Sequence, residues 1–239
     1  MTVIGVYNIK GGVGKTATAV NLAYLAARER QRTLIWDLDP QAAATYYFRV
    51  KPKVKGGGRG LVRGKRKLEA QIKGTDFDYL DLLPADFSYR NMDLLLEDAK
   101  KPTKRLRQLL QGPAPEYDYI FLDCPPSISL VSENIFRAAD LLLVPMIPTT
   151  LSVRTLDQLS EFLDGHDRLG QVRLTPFFSM VDRRKRMHLD LVEQLPERYP
   201  ATLTSVIPYA SEVERMGVFR MPLPAYATSS EIVLSLIHI

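Results

Sequence analysis

Short apolar runs recur along this chain, and most are followed by a longer stretch whose apolar positions keep helical spacing. The runs fall at residues 3–7, 33–36, 79–83, 119–122, 141–144, 173–180 and 203–207. Their length suits strands buried on both faces. Between the first two, Val20, Ala23, Tyr24 and Ala27 share one face of a helix predicted over 16–28. Further helices are predicted at 91–97, 103–110, 133–139, 151–163 and 189–195, with Ser127 as the cap ahead of 133–139. Pro145 stops the strand at 141–144, and Pro208 closes the one at 203–207. Such alternation builds an α/β fold, a mostly parallel central sheet with helices on both faces. Nothing reads as a linker, so a single domain is expected over 1–239.

Charge changes this picture at one place. Residues 51–67 carry eight lysines and arginines and no acid, more than the net charge of +5 for the whole chain. The remainder is therefore mildly acidic, and the basic character sits in one glycine-rich insertion, where regular structure is not expected. A second basic run, Arg183-Arg184-Lys185-Arg186, follows a strand and reads as a loop. Both are candidate contacts for a polyanion, and neither run has interleaved aromatics, which favours a duplex backbone over single strands.

Composition excludes several classes. One cysteine, Cys124, permits no intrachain disulfide and no multi-cysteine metal centre within the chain. It reads as a small residue filling space after a strand. His166, His188 and His238 lack metal-ligand spacing. No run approaches the length of a membrane span and the N-terminus lacks a signal-peptide pattern, so a cytoplasmic chain without stable membrane insertion is expected.

The chemistry lies at strand ends. Lys10-Gly11-Gly12-Val13-Gly14-Lys15-Thr16 joins the first strand to the first helix, the context of a P-loop. Glycines let backbone N–H groups approach phosphate, and the helix N-terminus adds its unpaired donors. Lys15 suits the β- and γ-phosphates of ATP, and the Thr16 hydroxyl suits Mg²⁺. Asp37 and Asp39 end the second strand on what alternation predicts to be one face, a pair suited to water and Mg²⁺. Asp123 ends another apolar strand, ahead of Pro125 and Pro126, and suits the same metal.

With Lys10 ahead of the glycines, the loop resembles the deviant Walker A ATPases of the ParA/MinD type, whose loop reads K-G-G-x-G-K-[ST]. Asp37-Leu38-Asp39-Pro40-Gln41 and Asp123-Cys124-Pro125-Pro126-Ser127 resemble that family's switch segments. The resemblance runs from about residue 3 to 226 apart from the insertion, and is nearest to the Soj-like partition ATPases. It implies a P-loop NTPase fold and an ATP-bound homodimer in which Lys10 reaches the partner's phosphates. It also implies that Asp39 orients the attacking water, and that Ile207-Pro208 packs against adenine. Ala17 stands where many relatives have a second threonine, which removes an α-phosphate contact. Non-specific DNA binding, slow ATP hydrolysis and an activating ParB-like partner follow by the same resemblance. Relatives that position other cargo, or that cycle on membranes as MinD does, leave two alternatives open. The tail from about residue 227 is shorter than the terminal helix of relatives and reads as truncated or foreign.

Overall fold

A computed structural model describes residues 1–64, 67–165, 172–228 and 230–239. Lys65, Arg66 and His166 lie outside the described residues. Seven strands form one sheet: β1 (Thr2–Val6), β2 (Thr33–Asp37), β3 (Lys73–Gly74), β4 (Leu80–Leu83), β5 (Tyr119–Asp123), β6 (Leu141–Met146) and β7 (Arg173–Phe178). The spatial order is β3-β4-β2-β5-β1-β6-β7, parallel throughout except for β3. The helices are α1 (Lys15–Arg28), α2 (Ala43–Tyr47), α3 (Gly57–Val62), α4 (Met92–Glu97), α5 (Arg105–Leu110), α6 (Leu130–Ala138), α7 (Thr150–Asp164), α8 (Arg186–Arg198), α9 (Ser211–Glu214), α10 (Met216–Phe219) and α11 (Glu231–Ile237).

Alternation along the strands feeds two cores. On β1, Val3 packs on one face of the sheet and Ile4 and Val6 on the other; on β2, Leu34 and Trp36 oppose Ile35. The first core lies under α4, α5, α6 and α7, and the second under α1 and α11. Because the long strands run in one direction, their C-terminal ends meet along one edge, where an open α/β sheet binds ligands. β1 is central, with β5 on one side and β6 on the other.

Four expectations change. The insertion at 51–67 is not irregular: Gly56 takes φ +89 and starts α3, which buries Leu61 and Val62. The segment 203–207 is not a strand. Leu203 and Ile207 donate to the Pro176 and Phe178 carbonyls, so four residues of advance meet two on β7 and no ladder continues. Among the described residues only the Val181–Pro208 bridge forms there, with the Val181 N–H donating to the Ile207 carbonyl and the Tyr209 N–H to the Val181 carbonyl. The cap ahead of α6 is Ser129 rather than Ser127; Pro125 and Pro126 carry the chain two residues further, and the Ser129 N–H donates to Ser132 Oγ at 2.7 Å. Arg186 of the second basic run belongs to α8.

The insertion is held by Asp86. Its Oδ2 accepts the Val54 N–H at 2.9 Å, and its Oδ1 accepts the Ser88 N–H at 2.9 Å and the Ser88 hydroxyl at 2.6 Å. Burial opposes ionisation of Asp86, but these donors outweigh it and hold the carboxyl below its ordinary value. Ser88 Oγ accepts the Gly58 N–H at 2.8 Å, and Gln71 Oε1 accepts that of Lys55 at 2.8 Å. Asp86→Ala is expected to cost about 1–3 kcal/mol through the donors left unpaired. Limited trypsin digestion checks it: cleavage within 51–67 should quicken several-fold over the wild type.

Candidate nucleotide and magnesium site

The loop between β1 and α1 is shaped by two left-handed glycines, Gly12 at φ +72 and Gly14 at φ +90. Nothing stands within 4 Å of where a Cβ of Gly11 or Gly12 would lie, so backbone angle rather than crowding requires glycine at Gly12. Two buried side chains fix the loop from outside. Asn8 donates to the Pro145 carbonyl at 2.9 Å while its Oδ1 accepts the Lys10 N–H at 2.8 Å. Ser179 Oγ, just past β7, donates to the Val13 carbonyl at 2.8 Å. The result is a concave run of backbone ahead of α1, a helix of 14 residues with no acid in its first turn.

Lys15 is buried, and its Nζ donates to the Lys10 carbonyl at 2.9 Å, across the mouth of the loop. Burial lowers its pKa, and Asp123, Cys124 and Asp39 partly offset that. Lys10 itself is exposed and forms no ion pair among the described residues. Thr16 is half-buried, with its hydroxyl toward Asp123.

Asp37 and Asp123 stand opposite each other in the β2–β5 register, both fully buried. Their surroundings differ. Asp37 Oδ2 accepts the Thr45 N–H at 2.8 Å and the Thr45 hydroxyl at 2.6 Å, and its Oδ1 accepts the Asp39 N–H at 3.2 Å. Burial nevertheless pushes the Asp37 carboxyl up to about 6. Neither oxygen of Asp123 closes a hydrogen bond, although the Thr16 hydroxyl faces it. Burial first, then the Asp37 charge, hold Asp123 well above the ordinary carboxylate range; Thr16 and Lys15 oppose them. β2 ends at Asp37, so strand alternation does not carry on to Asp39. Asp39 is half-buried and folds its Oδ1 back onto the Gln41 N–H at 2.9 Å.

An unpaired buried carboxylate beside a hydroxyl is costly by itself and fits a hard cation with oxygen ligands. Asp123 and Thr16 are the residues that could hold Mg²⁺ here. Among the described residues no group of three or more His, Cys, Asp or Glu side chains surrounds a metal-sized space. The remaining ligands would then be water and phosphate, the usual arrangement for Mg²⁺ at a nucleotide.

An apolar cleft adjoins the start of α1. Gly14 and Ala17 form one wall, Met180, Ile207 and Pro208 another, and Leu236 of α11 reaches it from the C-terminal segment. The structure therefore brings Pro208 to the P-loop. The tail is packed as well: Ile232, Val233 and Leu236 are buried in the α1-side core.

Comparison with known proteins identifies the family and the fold. A sequence model described as an AAA domain matches residues 1–171. The chromosome partitioning protein ParA of Myxococcus xanthus is 31% identical over 240 residues, covering 96% of this chain and 83% of that protein. The sporulation initiation inhibitor Soj of Bacillus subtilis is 30% identical over 205 residues, covering 82% of this chain and 79% of that protein. The chain belongs to the ParA family of P-loop ATPases. The ParA-family fold is seen again in an ATP complex of Cyanothece McdA, with a TM-score of 0.88 at 18% identity over 99% of this chain and 94% of that one. A Borrelia burgdorferi putative plasmid partition protein bound to AMPPNP has a TM-score of 0.83 at 22% identity, over 99% of this chain and 95% of that one.

Several residues that shape this ParA-family site carried no sequence signal. Asn8 and Ser179 act on backbone carbonyls far along the chain, and Thr45 reaches Asp37 only once α2 has folded back. Thr45 Oγ1 also accepts the Ala85 N–H at 2.9 Å. Thr45→Val is expected to cost about 1–3 kcal/mol, read by urea unfolding, because Asp37 and Ala85 each lose a buried partner. The raised Asp37 pKa gives a pH sign. The folded state holds this proton more tightly than the unfolded one, so stability falls as pH rises from about 4 to about 6 in magnesium-free buffer. Asp37→Asn should flatten that part of the urea-midpoint profile.

Proposed function

We propose that this chain is a partition ATPase whose ATP-bound dimer binds DNA without sequence preference, and that a ParB-like partner speeds slow hydrolysis to release it. The observation that carries the reading is the pairing of a buried, uncompensated Asp123 with a loop whose inner lysine, Lys15, spans its mouth. Such a site completes its electrostatics only when a phosphate chain and its cation arrive.

Each residue has a role in that reaction. The glycines from Gly11 to Gly14, with Val13 between them, present backbone N–H groups to the phosphates. Lys15 exchanges the Lys10 carbonyl for the β- and γ-phosphates. Thr16 and Asp123 hold Mg²⁺, which when bound neutralises charge on the phosphates. Asp37 supports that shell from the Thr45 side. Asp39, at the mouth, orients the water that attacks the γ-phosphorus in line; the bond to the β-phosphate oxygen breaks, giving ADP and phosphate. Lys10, exposed beside the opening, is free to reach the second subunit's nucleotide. Ala17 and Pro208 face the base in the apolar cleft.

The chromosome partitioning protein of Myxococcus supports the cellular role, and the basic insertion supports the DNA contact. The test is a titration of non-specific duplex DNA with Mg²⁺ and ATP, ADP or no nucleotide. Binding should require ATP and weaken at least tenfold between about 50 and 200 mM salt. No duplex binding in saturating ATP, with the dimer verified, would contradict the partition reading in favour of another cargo.

A further inference from the structure

The insertion does not stand alone. The segment Lys100-Lys101-Pro102-Thr103-Lys104-Arg105-Leu106-Arg107 holds five cations and no acid, and the fold lays it against the insertion. Arg105 joins the two: its Nε donates to the Val62 carbonyl at 2.7 Å, and its guanidinium lies close under Gly64. A cavity of about 400 Å³ opens between them, lined by Arg63, Lys100, Lys101 and Arg105, with Asp98 as its one acid and an apolar floor that includes Leu95. Further along, Lys104 and Arg107 line a second cavity with Arg137 and one acid, Asp140, beside Met1 and Val3 at the start of β1. The cations therefore run down one face of the molecule, from the insertion at the nucleotide edge to the opposite end of the sheet.

We infer that the insertion and residues 100–107 form one preformed track for the phosphate backbone of duplex nucleic acid. This rests on the DNA reading above and names the surface that carries it. Three observations favour a duplex. The track is a platform: Val54, Leu61, Val62 and Leu68 are buried beneath the insertion while Lys51, Lys53, Lys55, Arg59, Arg63 and Lys67 are exposed. None of these six, nor Lys100, Lys101, Lys104 or Arg107, is in an ion pair among the described residues, so their charge is available to a partner. By contrast Arg183, Arg184 and Arg186 of the other basic run pair with Glu231, Asp182 and Asp190. Second, the cations spread along a face, which suits a rod of evenly spaced charge better than one small phosphorylated ligand. Third, the nearby exposed aromatic, Phe87, carries the Arg90 guanidinium over its ring at 4.1 Å, which occupies that face against base stacking.

The experiment measures duplex affinity against salt for the full chain with Mg²⁺ and a non-hydrolysed ATP analogue. Three proteins are compared: wild type, Lys100→Gln/Lys101→Gln, and Arg28→Gln/Arg30→Gln. The last removes the same charge from the end of α1, across the sheet. The first double variant should weaken binding and reduce the slope of log affinity against log salt by about 2, while the α1 variant keeps the wild-type slope. A Lys100/Lys101 variant that folds, by its unfolding midpoint, and keeps the full slope would overturn the track but leave the DNA reading intact. An equal drop in both variants would also overturn it, as an effect of net charge alone. Wild-type protein that binds heparin but no duplex would sink both the track and the DNA reading.

Discussion

Two carboxylates, Asp37 and Asp123, are buried in register on neighbouring strands, and of the two only Asp37 closes hydrogen bonds. Like charges this close cannot both ionise cheaply without a cation between or beside them. The fold nonetheless delivers both to the same edge, because β2 and β5 are parallel and end at these residues. Lys15 is the nearest compensation the chain itself supplies, and it is anchored on a backbone carbonyl rather than on either acid. The site is thus stable enough to fold but electrostatically incomplete. In the function proposed above, Mg²⁺ with a phosphate chain would complete it.

That edge is joined to the basic face through short polar side chains that accept from backbone N–H groups. Asp37 holds Thr45, and Thr45 holds the Ala85 N–H at the end of β4. The next residue, Asp86, holds Val54 and Ser88, and Ser88 holds α3. The carboxylate at the nucleotide edge and the platform that carries the lysines therefore belong to one hydrogen-bonded string. Lys10 lies at the same edge, exposed beside the loop whose shape Asn8 and Ser179 set.

Much of this was readable beforehand where the signal is local. The buried strands showed as apolar runs, and the P-loop, Asp37 and Asp123 showed as residue types at strand ends. Signals that depend on distant packing did not show. Thr45 is an ordinary threonine until α2 turns it onto Asp37, and the glycines around 56–58 read as breakers although Ser88 Oγ accepts the Gly58 N–H. The two-residue β3 is too short to alternate, and 203–207 has a strand's composition without a strand's register. The cations at 100–107 were not singled out as a basic run, because their relation to the insertion depends on Arg105 reaching Val62.

The central claim is that nucleotide closes two copies of this chain across the edge that carries Lys10. Sedimentation velocity with Mg²⁺ and a non-hydrolysed ATP analogue tests it most directly, with ADP as the comparison and Lys10→Ala alongside the wild type. The wild type should sediment as a dimer with the analogue and as a monomer with ADP, while Lys10→Ala stays monomeric at saturating analogue. A wild type that remains monomeric with nucleotide bound, or a Lys10→Ala variant that dimerises as well as the wild type, would contradict the account.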